Sequence, residues 1–254
     1  MDLLFNTSLA EGYHSPTQRA RVMSEAWFRE NVYCPRCGRA VLAKYDNNRP
    51  VADFFCEDCR EDYELKSKEN SLGQKIPDGA YNTMVARIRS LNNPNFFFLR
   101  HVGIEVRDLF VVPSFFFTPT IIEKRKPLAP TARRAGWVGC NIEINELPEY
   151  GKIFLVREGE CVDKSRVVDQ FARAIAFKTD SLDTRGWVFD VMKCIDRIRT
   201  DDFTLDQVYV FGGELKARHP DNNFINAKIR QQLQVLRDRG VIEFTSRGHY
   251  RKIK

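Results

Sequence analysis

Two cysteine pairs constrain this chain more than any other feature. Cys34-x2-Cys37 and Cys56-x2-Cys59 stand 18 residues apart. Each CxxC turn aims two thiolates at one point, and a hairpin between the turns gathers four sulfurs into a tetrahedral zinc site. Four protein ligands leave no open coordination position, so the zinc is read as structural and residues about 33–60 as a zinc ribbon. A thioredoxin-like redox pair needs one CxxC in a different setting. Cys140, Cys161 and Cys194 have no such partners and are expected as buried thiols.

A ribbon alone cannot organise 254 residues, of which 43% are hydrophobic, enough for one large core or two ordinary ones. Apolar runs such as Phe96 to Leu99 and Phe115 to Phe117 are strand-sized and fall far short of the roughly 20 residues of a membrane span. The start, Met1 to Asn6, lacks the basic and apolar regions of a signal peptide. A cytoplasmic protein with reduced thiols, no membrane contact and no obligate protein partner is expected. The net charge is +6, and its excess sits late: Thr184 to Lys254 hold 14 Lys/Arg against 9 Asp/Glu, the preceding residues 26 against 25. Such a tail attracts a polyanion such as DNA, although a merely solvated surface has the same composition.

Local patterns divide the chain. Ser15-Pro16-Thr17-Gln18 has the residues of a capping box, opening a helix to about Glu30 with Val22, Met23, Ala26 and Trp27 inward. Asp62 to Lys68 reads as a strand, and Ala80 to Leu91 as a helix carrying Met84, Ile88 and Leu91. Phe96 to His101, Leu109 to Phe117 and Lys152 to Arg157 read as strands, Lys124 to Trp137 as a basic loop, and Arg166 to Phe177 as a helix. Strands interspersed with helices predict an α/β domain with a mixed sheet over residues 1–182. Beyond a boundary near Thr179 to Thr184 come three helices, Arg185 to Ile198, Leu205 to Ala217 and Asn222 to Asp238. Two extended runs around Ser246-Arg247-Gly248 complete the order of an α+β winged helix over 183–254.

Asp53, followed after ten residues by Glu64-Leu65-Lys66, is the constellation that can do chemistry. Strand alternation puts Glu64 and Lys66 on one face. With Asp53 on the adjacent strand, two carboxylates can hold Mg²⁺ while Lys66 orients a water and balances charge. Asp53 also lies among Val51, Ala52, Phe54 and Phe55, where an uncompensated carboxylate is costly. The bare motif is common on surface strands. A third acidic ligand could come from Glu11, Glu25 or Glu30, among which the sequence does not choose.

Asp53…Glu64-Leu65-Lys66 resembles the PD-(D/E)xK nuclease motif, with Pro50-Val51-Ala52-Asp53 departing from it by separating proline from aspartate. With the ribbon and the winged helix included, the whole chain resembles the methylation-dependent restriction endonucleases of bacteria. The resemblance implies Mg²⁺-dependent, type II cleavage of double-stranded DNA at GATC carrying N6-methyladenine. It also implies catalytic roles for Asp53, Glu64 and Lys66, with Asp53, Glu64 and the Leu65 carbonyl on the metal. The rival reading is a zinc-ribbon, winged-helix transcription regulator that binds without cutting; a zinc-stabilised adaptor that uses the winged helix to bind protein is a third.

The third helix of the winged-helix segment is the natural reader. Ile225, Ile229, Leu233 and Leu236 form its packing face, leaving Asn223, Asn226, Ala227 and Arg230 outward near the N-terminus. Asparagine suits adenine, arginine suits guanine, and alanine can meet a thymine methyl. Arg247, His249, Arg251 and Lys252 on the wing are candidate phosphate contacts. Arg133, Arg134 and Trp137 are a candidate second DNA contact, with the indole as an aromatic face for a methyl group; a Trp buried in an ordinary core is the bland alternative.

Overall fold

The computed structural model describes residues 1–46, 52–90, 92–179 and 181–253. Pro50, Val51, Leu91 and Asp180, which entered the readings above, lie outside them. The chain forms two units, one of Met1–Asn145 with Gly151–Ile175, the other of Glu146–Tyr150 with Ala176–Lys254.

The first unit opens with α1 (Pro16–Asn31), followed by β1 (Ala43–Lys44), β2 (Phe54–Phe55), β3 (Asp62–Glu69), β4 (Lys75–Ala80) and α2 (Tyr81–Arg89). Then come β5 (Asn95–Val102), β6 (Glu105–Val112), β7 (Ile122–Lys124), β8 (Gly139–Glu143), β9 (Ile153–Arg157), β10 (Glu160–Cys161) and α3 (Lys164–Ala174). Seven strands make one sheet in the order β1-β2-β3-β5-β6-β9-β10, with β3 and β5 parallel and the other pairs antiparallel. The parallel pair requires a crossover. β4 and α2 lie in it, and β4 joins β8 and β7 in a second sheet of three strands.

β5 carries the core. Residues 95–99 are buried throughout, the continuous apolar run of a strand covered on both faces. On one face Phe97 meets Phe28 of α1 at 4.8 Å and Tyr63 at 5.3 Å. On the other, Phe96 meets Phe117 at 4.8 Å and Phe98 meets Phe110 at 5.2 Å. The parallel register sets Glu64 beside Phe96 and Lys66 beside Phe98. Both polar side chains therefore leave the sheet on the Phe96 face, while Tyr63 and Leu65 go with Phe97.

Several local expectations need correcting in this unit. Ser15 makes no side-chain cap; its carbonyl takes the Arg19 amide at 3.0 Å, and Pro16 alone starts the helix. The buried stripe of α1 is Ser24, Trp27 and Phe28, while Val22 and Ala26 line an open groove. Ser24 tolerates burial because its hydroxyl donates to the Arg21 carbonyl at 3.1 Å. The strand expected to reach Phe117 stops at Val112, where Pro113 precedes a 3₁₀ turn at Ser114–Phe116. Cys140 and Cys194 are buried, but Cys161 is exposed in the short outermost strand β10.

The second unit contains α4 (Leu182–Arg197), β11 (Asp202–Thr204), α5 (Leu205–Tyr209), α6 (Gly212–Arg218), α7 (Ile225–Asp238), β12 (Ile242–Ser246) and β13 (His249–Lys252). Its sheet runs β11-β13-β12, all antiparallel. The helix expected over Leu205 to Ala217 is broken into α5 and α6 at Val210-Phe211, and α6 then opens on Gly212-Gly213, residues that disfavour a helix interior. α5 has the capping box that α1 lacks: Thr204 accepts the Gln207 amide and Gln207 accepts the Thr204 amide. Ile229, Leu233 and Leu236 of α7 are buried, joined by Gln232. Asn222 and Asn223 precede α7 rather than belonging to it. Glu146, from the stretch between β8 and β9, accepts hydrogen bonds here from Lys193 and, at 2.8 Å, from Arg218. No helix among the described residues is long and apolar enough to cross a membrane.

Candidate active site

The two CxxC turns are built alike. Gly38 donates to the Cys34 carbonyl at 2.8 Å and Arg60 to the Cys56 carbonyl at 3.0 Å. The residue after each CxxC is left-handed, Gly38 at φ +79 and Arg60 at φ +61. The return amides match too: Cys34 donates to Arg39 and Cys56 to Glu61. Arg39 then clamps one turn to the other through Glu57 and Asp58.

All four sulfurs lie within 4.8 Å of one another, with Cys34–Cys59 and Cys37–Cys56 both at 3.5 Å. Zinc–sulfur bonds of about 2.3 Å at tetrahedral angles separate sulfurs by about 3.8 Å, so the cluster fits the ion. Burial pushes the Cys34 thiol up to about 11, against hydrogen bonds that favour its thiolate, the first from Tyr63. The amides of Cys59 and Asp58 outweigh burial at Cys56 and hold its thiol below the usual value. Such a group needs metal to keep four thiolates together.

The ribbon delivers Asp53 to β3. The Asp53 amide donates to the Tyr63 carbonyl and its own carbonyl accepts from Tyr45, both at 2.9 Å. Its Oδ2 accepts the Leu65 amide at 2.9 Å. In a strand the amide and carbonyl of one residue point to the same side, so the Leu65 carbonyl leaves the edge of β3 that Asp53 occupies. Asp53, Glu64, Leu65 and Lys66 line one open cavity, bounded across from them by Pro16, Thr17 and Arg21 of α1.

Lys66 lies between two carboxylates, 2.5 Å from Glu64 Oε1 and 2.5 Å from Asp78 Oδ1. Asp78 was not legible in the sequence. It belongs to β4 of the other sheet, and no motif ties it to Glu64-x-Lys66. Of the three acidic candidates, Glu25 lines the cavity, where Arg21 (2.5 Å) and Lys44 (2.8 Å) hold it. Glu11 and Glu30 are exposed and do not line it.

Burial pushes the Glu64 carboxyl up to about 7; the charge of Lys66 opposes this, and those of Asp78 and Asp53 add to it. Desolvation works against the Lys66 ammonium, but Glu64 and Asp78 outweigh it and hold the group above its usual value. Asp53, Glu64 and Asp78 outnumber the ammonium of Lys66, a local surplus of carboxylate in a partly desolvated site. A hard divalent cation with oxygen ligands fits that surplus.

In the second unit, Lys216 organises the turn before α7, donating to the carbonyls of Pro220 (2.8 Å) and Asn222 (2.9 Å) and to Asn223 Oδ1 (3.1 Å). The Asn223 amide group remains available as a donor. Asn226, Ala227 and Arg230 are exposed, and Arg230 also donates to the Tyr209 hydroxyl at 2.7 Å. Phe224, which the sequence reading passed over, is 78% exposed at the N-cap of α7. On the wing, Arg247 and His249 are exposed. Arg251 is engaged by Asp202 at 2.8 Å and Glu243 at 3.3 Å, and Lys252 by the Ile198 carbonyl at 2.5 Å. In the first unit Arg133 is exposed and Arg134 stacks 4.3 Å over Trp137, whose ring is partly buried against Gly139.

Two family models match the chain. Residues 1–180 match the Dam-replacing family, DpnI, and residues 183–252 match the Dam-replacing HTH domain. The nuclease-like sheet, the four-cysteine cluster and the helix–turn–helix unit agree with that assignment. By these matches, which together span nearly all of its length, the chain belongs to the Dam-replacing (DpnI) family of methylation-dependent, DNA-binding restriction enzymes.

Proposed function

We propose that this protein is a Mg²⁺-dependent type II restriction endonuclease that hydrolyses double-stranded DNA at GATC bearing N6-methyladenine. The observation that carries the cutting activity is the meeting of Asp53, Glu64, Leu65 and Lys66 at one cavity. Asp53, Glu64 and the Leu65 carbonyl would hold the ion. When bound, it supplies Lewis acidity to the phosphate and a more acidic water. Lys66 orients the attacking water and offsets charge on the phosphorane-like transition state. The Leu65 amide keeps the Asp53 carboxylate aimed, and zinc on Cys34, Cys37, Cys56 and Cys59 keeps the segment carrying Asp53 against β3.

Residues 1–182 would do the cutting and 183–254 much of the reading. For the latter we assign Asn223, Asn226, Ala227 and Arg230 to the major groove, and Arg247 and His249 to phosphates. Arg251 and Lys252 already have partners within the unit and frame the wing. Phe224 adds an exposed apolar surface beside the asparagines, the combination an N6-methyl group calls for. Arg133, Arg134 and Trp137 form a second candidate contact. The GATC and methyl requirements rest on the family resemblance, as does the bacterial cytoplasm as the place of action.

The test incubates the protein with methylated and unmethylated GATC plasmid in Mg²⁺ or EDTA. Cutting of the methylated plasmid alone, only with Mg²⁺, is expected. Binding without cutting in every condition would turn the reading to a regulator. Cutting that survives Asp53→Ala or Lys66→Ala removes the site assignment.

A further inference from the structure

We infer that Asp78 is a positioning residue for Lys66, holding the ammonium from behind while Glu64 serves the cavity. The inference rests on the nuclease reading above and deepens it. Lys66 Nζ lies 2.5 Å from Asp78, whose side chain is 8% exposed, against 19% for Glu64 and 18% for Lys66. Glu64 and Lys66 line the cavity and Asp78 does not. Asp78 therefore meets the ammonium from outside the lining of that cavity.

The backbone explains how a residue of another sheet reaches Lys66. β4 pairs with β8 at Asp78↔Cys140 and again at Ala80↔Gly139, so the register slips between them. A bulge of this kind bends a strand and re-aims one side chain. Here the side chain beside the slip is the carboxylate that meets Lys66.

The arrangement solves a conflict in the site. A Glu64 oxygen committed to a divalent ion is no longer free to fix Lys66 in the same way. An ammonium on four methylenes is otherwise poorly oriented. Asp78 keeps it in place whichever way Glu64 turns.

The test compares wild type, Asp78→Asn, Asp78→Glu and Lys66→Ala as full-length, zinc-loaded proteins. Single-turnover cleavage of a methylated GATC duplex is read in saturating Mg²⁺, and affinity for the same duplex with Mg²⁺ omitted. Asp78→Asn is expected to slow cleavage about 100-fold, the effect of a misplacement of about 1 Å, with Kd changed less than about twofold. Asp78→Glu should recover most of that rate. Cleavage by Asp78→Asn within about twofold of wild type overturns the inference, as does a Kd that weakens in step with the rate. Should Asp78→Asn lose the wild-type circular dichroism, Asp78→Glu decides alone: a rate within about tenfold at unchanged Kd supports the role, and a larger loss overturns it. Lys66→Ala separates the two levels. If it cuts normally the nuclease site is misassigned; if it is inactive while Asp78→Asn cuts normally, only the role of Asp78 fails.

Discussion

Tyr63 joins the four-cysteine cluster to β3 and Asp53: its buried hydroxyl lies 3.1 Å from the Cys34 sulfur, and its carbonyl accepts the Asp53 amide at 2.9 Å. Donors to a ligating atom hold it in orientation, and removing one typically costs about 10- to 100-fold in metal affinity. Tyr63→Phe should therefore lose zinc to a chelator about 10- to 100-fold faster, followed with a colorimetric zinc indicator. A release rate equal to wild type would show that the hydroxyl does nothing for the ion.

Zinc removal should reach further than the ribbon. Four-cysteine sites contribute folding energy directly, and here the cluster flanks the segment that carries Asp53. Stripping the ion should expose residues about 33–60 to protease and abolish cleavage even in excess Mg²⁺. Intact resistance together with lost activity would contradict this order of events.

Glu64 predicts a proton–metal competition. Burial first, then the charges of Asp78 and Asp53 against that of Lys66, push its carboxyl up to about 7. Below that pH a proton occupies the group the ion needs, so apparent Mg²⁺ affinity should fall as pH drops from 8 to 6, by up to about tenfold per unit below 7. Mg²⁺ titrations of cleavage at several pH values check the slope. Glu64→Gln should remove both the activity and the pH dependence of metal binding.

Glu146 predicts an acid-labile brace in the second unit. Burial works against its charge, but hydrogen bonds from Lys193 and Arg218 prevail and hold the carboxyl below its usual value. A carboxylate depressed on folding contributes stability above its unfolded value, about 4.3, and loses it as pH falls through the folded one. Glu146→Gln should cost about 1–3 kcal/mol at neutral pH. Thermal melts should show the gap from wild type closing below about pH 4. A gap that is constant with pH would assign the loss to packing.

Phe224 is exposed at the N-cap of α7, the helix proposed to read DNA. Phe224→Ala should leave the melting temperature unchanged and weaken binding to a methylated duplex by about 1–2 kcal/mol, about 5- to 30-fold. Titration of a labelled duplex in EDTA measures it. Equal affinity of wild type and variant would return Phe224 to an ordinary surface residue.

The parts legible in the sequence are those fixed by short spacing. Each CxxC pair, the alternation that joins Glu64 to Lys66 and the apolar face of α7 link residues only a few positions apart. What escaped depends on distant chain. Asp78 reaches Lys66 from another sheet through a slipped register, and Glu146 enters the second unit from between β8 and β9. The Ser15 capping box had the right residues but not the bond, whereas the helix break just ahead of Gly212-Gly213 was passed over.

The second unit is not one stretch of chain, and this bears on how such enzymes diversify. Exchange of coding sequence at a junction near residue 180 would bring in a new reading head but leave Glu146–Tyr150 behind. Lys193 and Arg218 would then meet whatever side chain the recipient offers at 146. Recombination that preserves function must either carry two separated pieces together or keep an acid at that position, so inheritance of the second unit is tied to five residues that lie within the sequence of the first.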